Sequence, residues 1–499
     1  MQWVNFLHIY QPASQADDIL ETVVNQSYRR VFRGLREIPT ARVTLNISGA
    51  LSELLMKKGY QDVIDDIRWL ADNGKLEFTE TAKHHPFLPF LPEDEIKRQI
   101  ELNHKTNSTI FGVAYKPVAF FPPEMAYSER IGKIVAKMGY KIILLDEIAY
   151  SGKIEKAPHD HTCIIKNAEP LVALFRERRA SNLIISAVAR DPQTFFTALG
   201  KELSKHEYLF TGMDGETFGH HRPGLEEFLF SLVRSDAITQ RFVSEIPAFF
   251  PPTETIVPIQ STWATSEYDI ENNLQFHSWR DQENKIHQKQ WELFELVLVA
   301  VYQSEKEPEY PVAREMLDCA VASDQFFWAS NRPWWSIEMI EQGAWQLLIT
   351  INTLGTAHSA TKARAKKLYE DVVSLGFAWQ REGKIRKESH ELKEATKIPF
   401  KKRTLEAGKP EVYYAFIEFM KREMKRAAEA QNYEEAILWR DAIWKLETKN
   451  DIYDAMHATD LLRHRVPLGA IEELMDQYKT KYRTLRGGQG EDRIRKSKQ

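Results

Sequence analysis

Two carboxylates follow separate apolar segments of this sequence. Glu124 comes directly after "AFFPP" at 119–123, and Asp214 ends the segment that begins with "EYLFTGM" at 207–213. Two acids on different loops of one site are what cleavage of a glycosidic bond needs, because one attacks as an anion while the other donates a proton to the leaving oxygen. Taken singly, each acid also suits a helix start or a polar turn. The pair is therefore a hypothesis that other residues must support.

Polar residues follow other apolar segments of the N-terminal half as well. His8 and Gln11 end the first segment, His84 and His85 follow the third, and an acidic pair at 146–147 follows the fifth. In a parallel barrel the loops after the strands converge at one end, where active sites form. These strand exits therefore predict a site at the carboxyl ends of the strands.

The elements that would hold these residues are short apolar strands that alternate with amphipathic helices. Strands are predicted at 3–9, 41–47, 75–81, 116–122, 140–146 and 207–213, and at one or both of 171–177 and 183–189. Helices with a 3.6-residue apolar period and a closing glycine are predicted at 60–74 and 129–139. This alternation indicates βα units and an α/β fold with a parallel sheet buried on both faces.

Strand signals stop near residue 285. Helical periods continue to about residue 380, and a Lys-rich connector then leads to two more helices. A chain of 499 residues is too long for one ordinary core. The predicted parts are a catalytic barrel at 1–284, a helical domain closing the cleft at 285–380, a basic connector at 381–409, a helical hairpin at 410–447 and a helical or disordered tail at 448–499.

The composition is typical of a soluble globular protein. Hydrophobic residues make up 43% of the chain and charged residues 28%. No apolar run approaches the roughly 18 residues of a membrane span. The first residues lack the basic start of an export signal, and Cys163 and Cys319 are too few for a disulfide framework. We therefore expect a cytoplasmic protein that does not enter a membrane.

Charge is distributed unevenly along the chain. Residues 361–499 carry 31 basic and 23 acidic side chains, which leaves a net charge of -12 on the rest of a chain whose total is -4. An acidic main body argues against a nucleic-acid substrate, because the phosphate backbone attracts a positive surface. The basic C-terminal region keeps a nucleic acid or an acidic partner as a minor alternative.

Four short motifs resemble, in order and in spacing, those of glycoside hydrolase family 57. They are "LHIYQP" near residue 8, "KLEFTETAKHHPFLPFL" near 84, "FFPPEMAY" around 124 and "MDGETFGHH" around 214, and "ASDQFFWAS" around 324 is a looser fifth. The resemblance implies an incomplete (β/α)7 barrel followed by a helical domain. It also implies a substrate of the α-glucan or oligosaccharide class, as for the α-amylases and 4-α-glucanotransferases of that family. We expect neither a cofactor nor a metal.

The same resemblance implies roles for single residues. Glu124 stands where the family has its nucleophile and Asp214 where it has its general acid/base, in a double displacement with retention that needs carboxyl groups about 5–5.5 Å apart. The predicted substrate-binding residues are His8, Gln11, His84, His85, Tyr127, Glu216, Phe218, His220, Trp263, Asp324 and Trp328. We expect burial and the charge of Glu216 to raise the pKa of Asp214. Hydrolysis and transfer to another sugar both stay open.

Several interpretations compete with parts of this hypothesis. Five tryptophans after Asp214 suit stacking on sugar rings and equally suit the filling of an interface between barrel and helices: Trp263, Trp279, Trp328, Trp334 and Trp335. A metal-dependent carbohydrate deacetylase is a less favoured alternative, because "HDHTC" at 159–163 and "KHH" at 83–85 hold ligand types but not His-x-x-x-His spacing. A weak or inert glycan-binding or regulatory protein is the other alternative.

The C-terminal helices resemble the UVR motif, a helical hairpin first recognised in bacterial excision-repair proteins. The resembling residues within 416–446 are Met424, Ala427, Ala428, Tyr433, Glu434, Ala436, Arg440, Asp441, Ile443 and Leu446. Apolar residues recur at helical spacing on both arms, as a closed αα-hairpin requires. We expect residues 410–447 to bind a protein partner or to self-associate, and a hairpin that only packs on the surface is the alternative.

Overall fold

The described strands form two sheets. The computed structural model describes residues 1–187, 189–331, 334–355, 358–387, 410–448, 461–462, 466–467, 469–471 and 473–478. The strands are β1 (Gln2–Ile9), β2 (Val43–Ile47), β3 (Leu76–Thr79), β4 (Ala119–Phe120), β5 (Ile142–Asp146), β6 (Thr162–Ile165), β7 (Val172–Arg176), β8 (Tyr208–Asp214), β9 (Thr239–Arg241) and β10 (Pro252–Ile256). One sheet has the order β3-β2-β1-β8, with β9 also paired to β1, and the other has the order β10-β6-β7-β5-β4.

Backbone hydrogen bonds join the two sheets into an incomplete barrel. Between β3 and β4, the amide of Glu80 donates to Ala119 O and the amide of Phe121 donates to Glu80 O, each at 2.8 Å. Between β7 and β8, Glu177 N donates to Phe210 O at 2.9 Å, and the described strands form no regular pairing there. The order β1-β2-β3-β4-β5-β7-β8 is the incomplete (β/α)7 arrangement that the resemblance implied.

Alternate residues of the strands fill the barrel interior. Phe6 of β1 and Phe210 of β8 belong to one buried apolar cluster there. Successive strand residues point to opposite faces, so His8 and Asp214 follow them on the interior face at the carboxyl end. His8 and Asp214 are partners in the parallel register of β1 and β8, and Asn46 of β2 is the partner of His8 on its other side. The strand pattern therefore delivers polar residues to one end of the barrel.

Helices follow most strands and then continue alone. They are α1 (Asp17–Val23), α2 (Arg29–Arg36), α3 (Gly49–Lys57), α4 (Gln61–Asp72), α5 (Glu93–Phe111), α6 (Glu129–Lys137), α7 (Ile148–Ser151), α8 (Arg178–Ile185), α9 (Pro192–Leu199), α10 (Leu225–Val233), α11 (Ile246–Phe249), α12 (Glu267–Asn272), α13 (Lys285–Gln303), α14 (Tyr310–Ala320), α15 (Asp324–Phe327), α16 (Ile337–Asn352), α17 (Ser359–Arg381), α18 (Pro410–Glu429) and α19 (Tyr433–Thr448). Single 3-10 turns at Pro123–Met125 and Gly215–Thr217 follow β4 and β8. None of the described helices is long and apolar enough to cross a bilayer.

A buried ion network joins α14, one of the helices that follow the barrel, to α5 of the barrel. Glu95 of α5 accepts two hydrogen bonds from Arg314 of α14, at 2.6 and 2.9 Å. Asp318, one turn further along α14, accepts from Arg98 of α5 at 2.7 and 2.6 Å and from Arg314 at 3.0 Å. Because α15 follows directly, this network sets where the residues of α15 lie relative to the barrel.

The chain divides into two compact units. One consists of Met1–Ala187 and Lys201–Ile385, and the other of Val188–Gly200 and Arg386–Gln499. In the second unit, α18 and α19 form the predicted αα-hairpin around a small apolar core that includes Met420 and Trp439. The boundaries predicted from the sequence stay predictions. Most of the predicted connector and tail lies outside the described residues.

Two differences from the predicted elements have local causes. Of the two alternatives, 171–177 contains β7, whereas 183–189 begins inside α8. The side chain of Glu177 caps α8 by accepting from the amides of Arg179 and Ala180, which satisfies free helix donors. The strands β6, β9 and β10 were not predicted, because they are short, and β10 ("PTETI") is largely polar with no fully buried residue.

Candidate active site

A cleft of about 350 Å³ lies at the carboxyl ends of the barrel strands. The described residues that line it are His8, Tyr10, Gln11, His85, Glu124, Asp214, Glu216, His221, Trp263, Ala264, Phe327 and Trp334. They come from the ends of β1 and β8, from the loops after β1, β3, β4, β8 and β10, and from the helical region that follows the barrel. The strand exits and the later helices thus meet at one cleft.

Glu124 is held at the cleft by its own backbone and by one tryptophan. Two prolines end β4, and Glu124 then adopts a left-handed conformation, with φ of 62°. Trp263 N donates to Glu124 O at 3.1 Å, and the indole Nε1 donates to Glu124 Oε2 at 2.8 Å. His85 Nδ1 lies 3.9 Å from the other carboxylate oxygen. The carboxylate is therefore fixed in direction and open to the cleft.

Asp214 sits at the end of β8, beside a buried arginine of β7. Arg176 Nε donates to Gly212 O at 2.6 Å, and Arg176 is held from its other side by Asp146 at 2.9 Å. Desolvation in the cleft raises the pKa of Asp214 to about 6, and the positive charge of Arg176 opposes this rise. The predicted rise and its burial cause are confirmed, but the predicted contribution of the Glu216 charge is not among the causes of the pKa shift of Asp214.

A third acid, Glu216, lies one turn beyond Asp214. It is 4% exposed and accepts hydrogen bonds from Gln11 Nε2 at 3.2 Å and from the Tyr28 hydroxyl. Burial and then the charge of Asp214 raise the pKa of Glu216 to about 7. Gly219 ends this loop with φ of +101°, where an added Cβ would lie 2.0 Å from the backbone oxygen of the residue at 26.

Two histidines and a tyrosine form a stack along one wall. The His85 ring lies between those of His8 and Tyr10, with centroid distances of 5.2 and 4.3 Å. Desolvation lowers the pKa of His8 to about 4 and that of His85 well below its usual value, so both rings are neutral at pH 7. His8 Nδ1 donates to Asn46 Oδ1 at 2.8 Å, which leaves Nε2 as an acceptor. His85 Nε2 is buried without a hydrogen-bond partner among the described residues.

The two main carboxylates together retain about one proton near neutral pH. Desolvation raises the pKa of Glu124 to about 8, the Trp263 N–H bond lowers it, and the charges of Asp214 and Asp324 raise it further. With Asp214 near 6, the pair holds a single proton between about pH 6 and pH 8. One protonated and one ionised acid is the state that glycosidic cleavage requires.

Seven of the predicted site residues line the cleft, and six do not. His84 is buried, with Nε2 3.8 Å from Cys319 Sγ. Tyr127 is 1% exposed within the core formed by the strands and outer helices. Phe218 is also 1% exposed. These three side chains are apolar or desolvated core residues, because the turns after β3, β4 and β8 rotate them away from the opening.

The other three lie close behind the lining. His220 Nδ1 is 2.8 Å from Gln26 Oε1, and its neighbour at 221 lines the cleft instead. Asp324 accepts from the Tyr10 hydroxyl at 2.7 Å, so it supports a lining residue. The Trp328 ring packs edge-on against Trp334 at 5.6 Å. None of the three lines the cleft itself.

The predicted site residues did not include Tyr10, His221, Ala264 and Phe327, and the sequence left Trp334 open between sugar stacking and interface filling. Tyr10 is inside the first motif, so its place two residues after His8 was a usable signal. Phe327 and Trp334 reach the cleft only because the helical region folds back on the barrel, and no local pattern distinguishes them. Among the other tryptophans, Trp279 is buried against Phe87 at 4.5 Å, as the interface-filling alternative expects.

The sequence profile of glycosyl hydrolase family 57 matches residues 4–253, half of the chain. The chain belongs to glycosyl hydrolase family 57. The profile of the UvrB/uvrC motif matches residues 415–449, the region of α18 and α19. The motif-based resemblance to both families is therefore confirmed.

Curated relatives and solved structures agree with this family 57 membership. An alpha-amylase of Pyrococcus horikoshii is 23% identical over 285 residues, covering 54% of this chain and 44% of that protein. A 4-alpha-glucanotransferase of Thermococcus litoralis is 22% identical over 285 residues, covering 54% and 42%. The chain thus spans less than half the length of these two relatives.

The fold of the family 57 barrel and its helical region is also that of solved structures. The 4-alpha-glucanotransferase of Thermococcus litoralis superposes with a TM-score of 0.56 at 16% identity, over 71% of this chain and 59% of that one. A family 57 branching enzyme from Pyrococcus horikoshii superposes with a TM-score of 0.55 at 14% identity, over 74% and 94%. At these identities the likeness establishes the fold.

Proposed function

We propose that this family 57 chain is a retaining glycoside hydrolase or transglycosidase that acts on α-1,4-linked glucan. The observation that carries the proposal is the pairing of Glu124 and Asp214 across one cleft. Both carry raised pKa values, and Trp263 binds one of them directly. Family membership supports the chemistry, and the alpha-amylase and 4-alpha-glucanotransferase relatives support the substrate class.

In the first step Glu124 attacks the anomeric carbon and Asp214 gives its proton to the leaving glycosidic oxygen. The bond between the anomeric carbon and that oxygen breaks, and an ester bond to Glu124 forms. In the second step Asp214 removes a proton from water or from a sugar hydroxyl, whose oxygen displaces Glu124. Hydrolysis and transfer differ only in that acceptor. The mechanism predicts carboxyl groups about 5–5.5 Å apart.

The shared proton must reside on Asp214 when the bond breaks. Without a substrate, desolvation favours protonation of Glu124 over Asp214. A bound sugar reverses this preference, because its glycosidic oxygen accepts a hydrogen bond only from a protonated Asp214. The Trp263 donor and the positive charge that develops on the sugar both favour ionised Glu124.

The remaining lining suits a neutral, hydroxyl-rich ligand with apolar ring faces. His8 and His85 are uncharged, and their ring nitrogens can form hydrogen bonds with sugar hydroxyls. Gln11 donates a hydrogen bond to Glu216. Phe327 and Trp334 supply aromatic surface, whose faces stack on pyranose rings. We propose that His84, Phe218, His220, Asp324 and Trp328 support this lining indirectly. The packing of Tyr127 supports no contact with sugar.

Maltoheptaose turnover tests the activity. We expect shorter oligomers for a hydrolase, or shorter and longer ones together for a transferase, and loss of both in Glu124→Gln and Asp214→Asn. Glu315→Gln and Asp236→Asn are matched controls on exposed positions and should retain full activity. No turnover by the unaltered chain on maltodextrins or other glycans would contradict the enzyme proposal and favour a binding protein.

Chemical rescue with azide tests the two roles separately. With an activated α-glucosyl donor, Asp214→Ala should yield α-glucosyl azide, because azide attacks the covalent intermediate on Glu124. Glu124→Gly should yield β-glucosyl azide, because azide takes the place of the nucleophile and attacks the anomeric carbon of the α-linked donor from the β face. The opposite pair of products would contradict the assignment.

We propose further that the hairpin of α18 and α19 binds a protein partner or a second copy of this chain. Tyr433, Ile437 and Trp444 lie on one side of α19 and are 64%, 46% and 51% exposed. Sedimentation of the full chain should reveal a complex that Ile437→Glu abolishes. We place the protein in the cytoplasm, which its two free cysteines support.

A further inference from the structure

A second polar cluster lies on the outer side of the second sheet. His161 directly precedes β6, Cys163 lies within β6, and Glu254 lies in β10. Cys163 and Glu254 are register partners on these two parallel strands, although they are 91 residues apart in the chain. Cys163 packs in the apolar cluster between the strands and the outer helices. The cluster is therefore separate from the residues that line the cleft.

The ligand atoms of the three side chains converge. Glu254 Oε1 is 3.3 Å from His161 Nε2 and 3.4 Å from Cys163 Sγ, and all three atoms lie within 4.8 Å of one another. With usual zinc bond lengths, the edges of a tetrahedral site are about 3.3 Å between nitrogen and oxygen and about 3.5 Å between sulfur and oxygen. Two of the three edges match such a site.

A neighbouring aspartate orients the histidine for metal binding. Asp160 Oδ1 lies 2.7 Å from His161 Nδ1, and Nδ1–H donates to this carboxylate in one of the two neutral tautomers of the ring. In the neutral ring this leaves a lone pair on Nε2, which faces the carboxylate of Glu254. Two acceptors at that distance repel each other unless a proton or a cation lies between them. A carboxylate on the outer nitrogen is the usual partner of a metal-binding histidine.

The mixture of donors selects the metal. An imidazole nitrogen, a thiolate and a carboxylate suit zinc, whereas calcium and magnesium prefer oxygen ligands alone. The His161 and Glu254 side chains are 23% and 36% exposed, so an ion has access from solvent. The same exposure leaves room for a water as fourth ligand.

We propose that His161, Cys163 and Glu254 bind one zinc ion that fastens β10 to β6. Zinc displaces the thiol proton of Cys163, which passes to solvent, and a bond from Sγ to the metal replaces the bond from Sγ to hydrogen. The ion stabilises the wall of the barrel beside the gap between β7 and β8. It takes no part in the chemistry of the cleft. In the sequence, "HDHTC" holds ligand types without His-x-x-x-His spacing, and the third ligand, Glu254, is brought near only by the pairing of β10 with β6.

Cobalt titration of the full-length, chelator-treated protein tests the proposal. One equivalent of Co²⁺ should produce a thiolate-to-cobalt charge-transfer band, and Zn²⁺ should displace it. Cys163→Ser should abolish the band, and Cys319→Ser is the matched control that keeps it. Asp160→Asn, at an exposed side chain, should keep the band but weaken binding about 10- to 100-fold.

Three results would overturn the zinc site. They are a titration with no saturable one-to-one phase, a band that survives Cys163→Ser, and an Asp160→Asn variant that binds cobalt as tightly as the unaltered chain. The exposed Asp160 position keeps the test valid if Cys163→Ser does not fold. Because the readout is metal binding, failure here is distinguishable from failure of the glycosidase proposal.

Discussion

Trp263 controls the charge of Glu124 more directly than any other described side chain. Its indole N–H donates to the carboxylate, and its backbone amide holds the same residue in place. A hydrogen bond to the ionised form favours that form, so Trp263 opposes the desolvation that raises the pKa of Glu124. The proposed nucleophile therefore has a donor that favours its ionised form.

Activity should follow a bell-shaped pH profile with limbs near pH 6 and pH 8. Below the lower limb both carboxylates are protonated and no nucleophile exists, and above the upper limb both are ionised and no acid exists. In Trp263→Phe the pKa of Glu124 should rise, so the alkaline limb should move up by about one pH unit. We expect kcat/KM at pH 7 to fall about 10- to 100-fold. The measurement is kcat/KM for maltoheptaose between about pH 4 and about pH 10, a range that extends roughly two pH units beyond each limb.

Trp345→Phe, at an exposed position of α16, is the control and should leave the profile unchanged. An alkaline limb that stays in place in Trp263→Phe would mean that the indole does not set the charge of Glu124. A fall in rate without that movement would indicate that Trp263 only contacts the sugar.

Among single residues, those at strand ends were predictable from the sequence, whereas those that tertiary packing brings to the cleft were missed. His8 and Asp214 were predictable because strand alternation and the apolar run before each of them fix their face. The left-handed turn at Glu124 rotates the following residues, and for this reason Tyr127 enters the core although it is only three positions away. Such rotations depend on tertiary contacts that no local pattern records.

At the scale of elements, the ion network between α5 and α14 aligns the helical region with the barrel. Arg314 and Glu95 are 4% and 1% exposed, so each side chain is paired with the other and has little contact with water. Arg314→Met should lower the free energy of unfolding by about 3–5 kcal/mol, because the charge of Glu95 stays buried without its partner. KM for maltodextrins should rise as well, since α15 with Phe327 follows α14. Urea unfolding and steady-state kinetics measure the two effects.

The double variant Glu95→Gln with Arg314→Met should recover much of the lost stability, because it removes the unpaired charge. Lys97→Met breaks an exposed pair with Glu93 on the same helix and should leave the unfolding midpoint nearly unchanged. Equal losses in Arg314→Met and Lys97→Met would contradict the view that burial gives this network its strength.

Element prediction succeeded where one pattern dominated. The apolar runs of β1, β5 and β8 have no competing interpretation, whereas "LIISAVA" has strand composition and still begins in a helix. The Glu177 cap and the helical start at Arg178 decide that segment. The strands β6, β9 and β10 are short, and β9 and β10 are also partly exposed. They pair because neighbouring strands offer free edges, and this pairing is not visible in the sequence.

At the scale of the whole molecule, the hairpin unit has its own apolar core. Trp439 is fully buried in that core, and Trp444 on the same helix is 51% exposed. Trp439→Ala should destabilise the hairpin unit by at least about 3 kcal/mol and leave kcat/KM for maltoheptaose within about two-fold of its original value. Calorimetry should then show an early transition for this unit ahead of that of the barrel.

Trp444→Ala is the matched control and should leave both transitions near their original temperatures. A single transition that shifts as a whole in Trp439→Ala would contradict independent folding of the two units. The sequence indicated a separate C-terminal helical pair through its change of charge and period, but the inclusion of Val188–Gly200 in this unit was not predictable, because it depends on contacts distant in the chain.

The backbone around the cleft is strained at three residues that are not glycine. His85, Glu124 and Met125 all adopt positive φ angles, of 51°, 62° and 48°. Glycine or asparagine would occupy these positions with less strain, by roughly 1 kcal/mol at each. A lineage of this chain that lost its substrate would therefore drift toward such residues first at the cleft, and gain robustness as it did so.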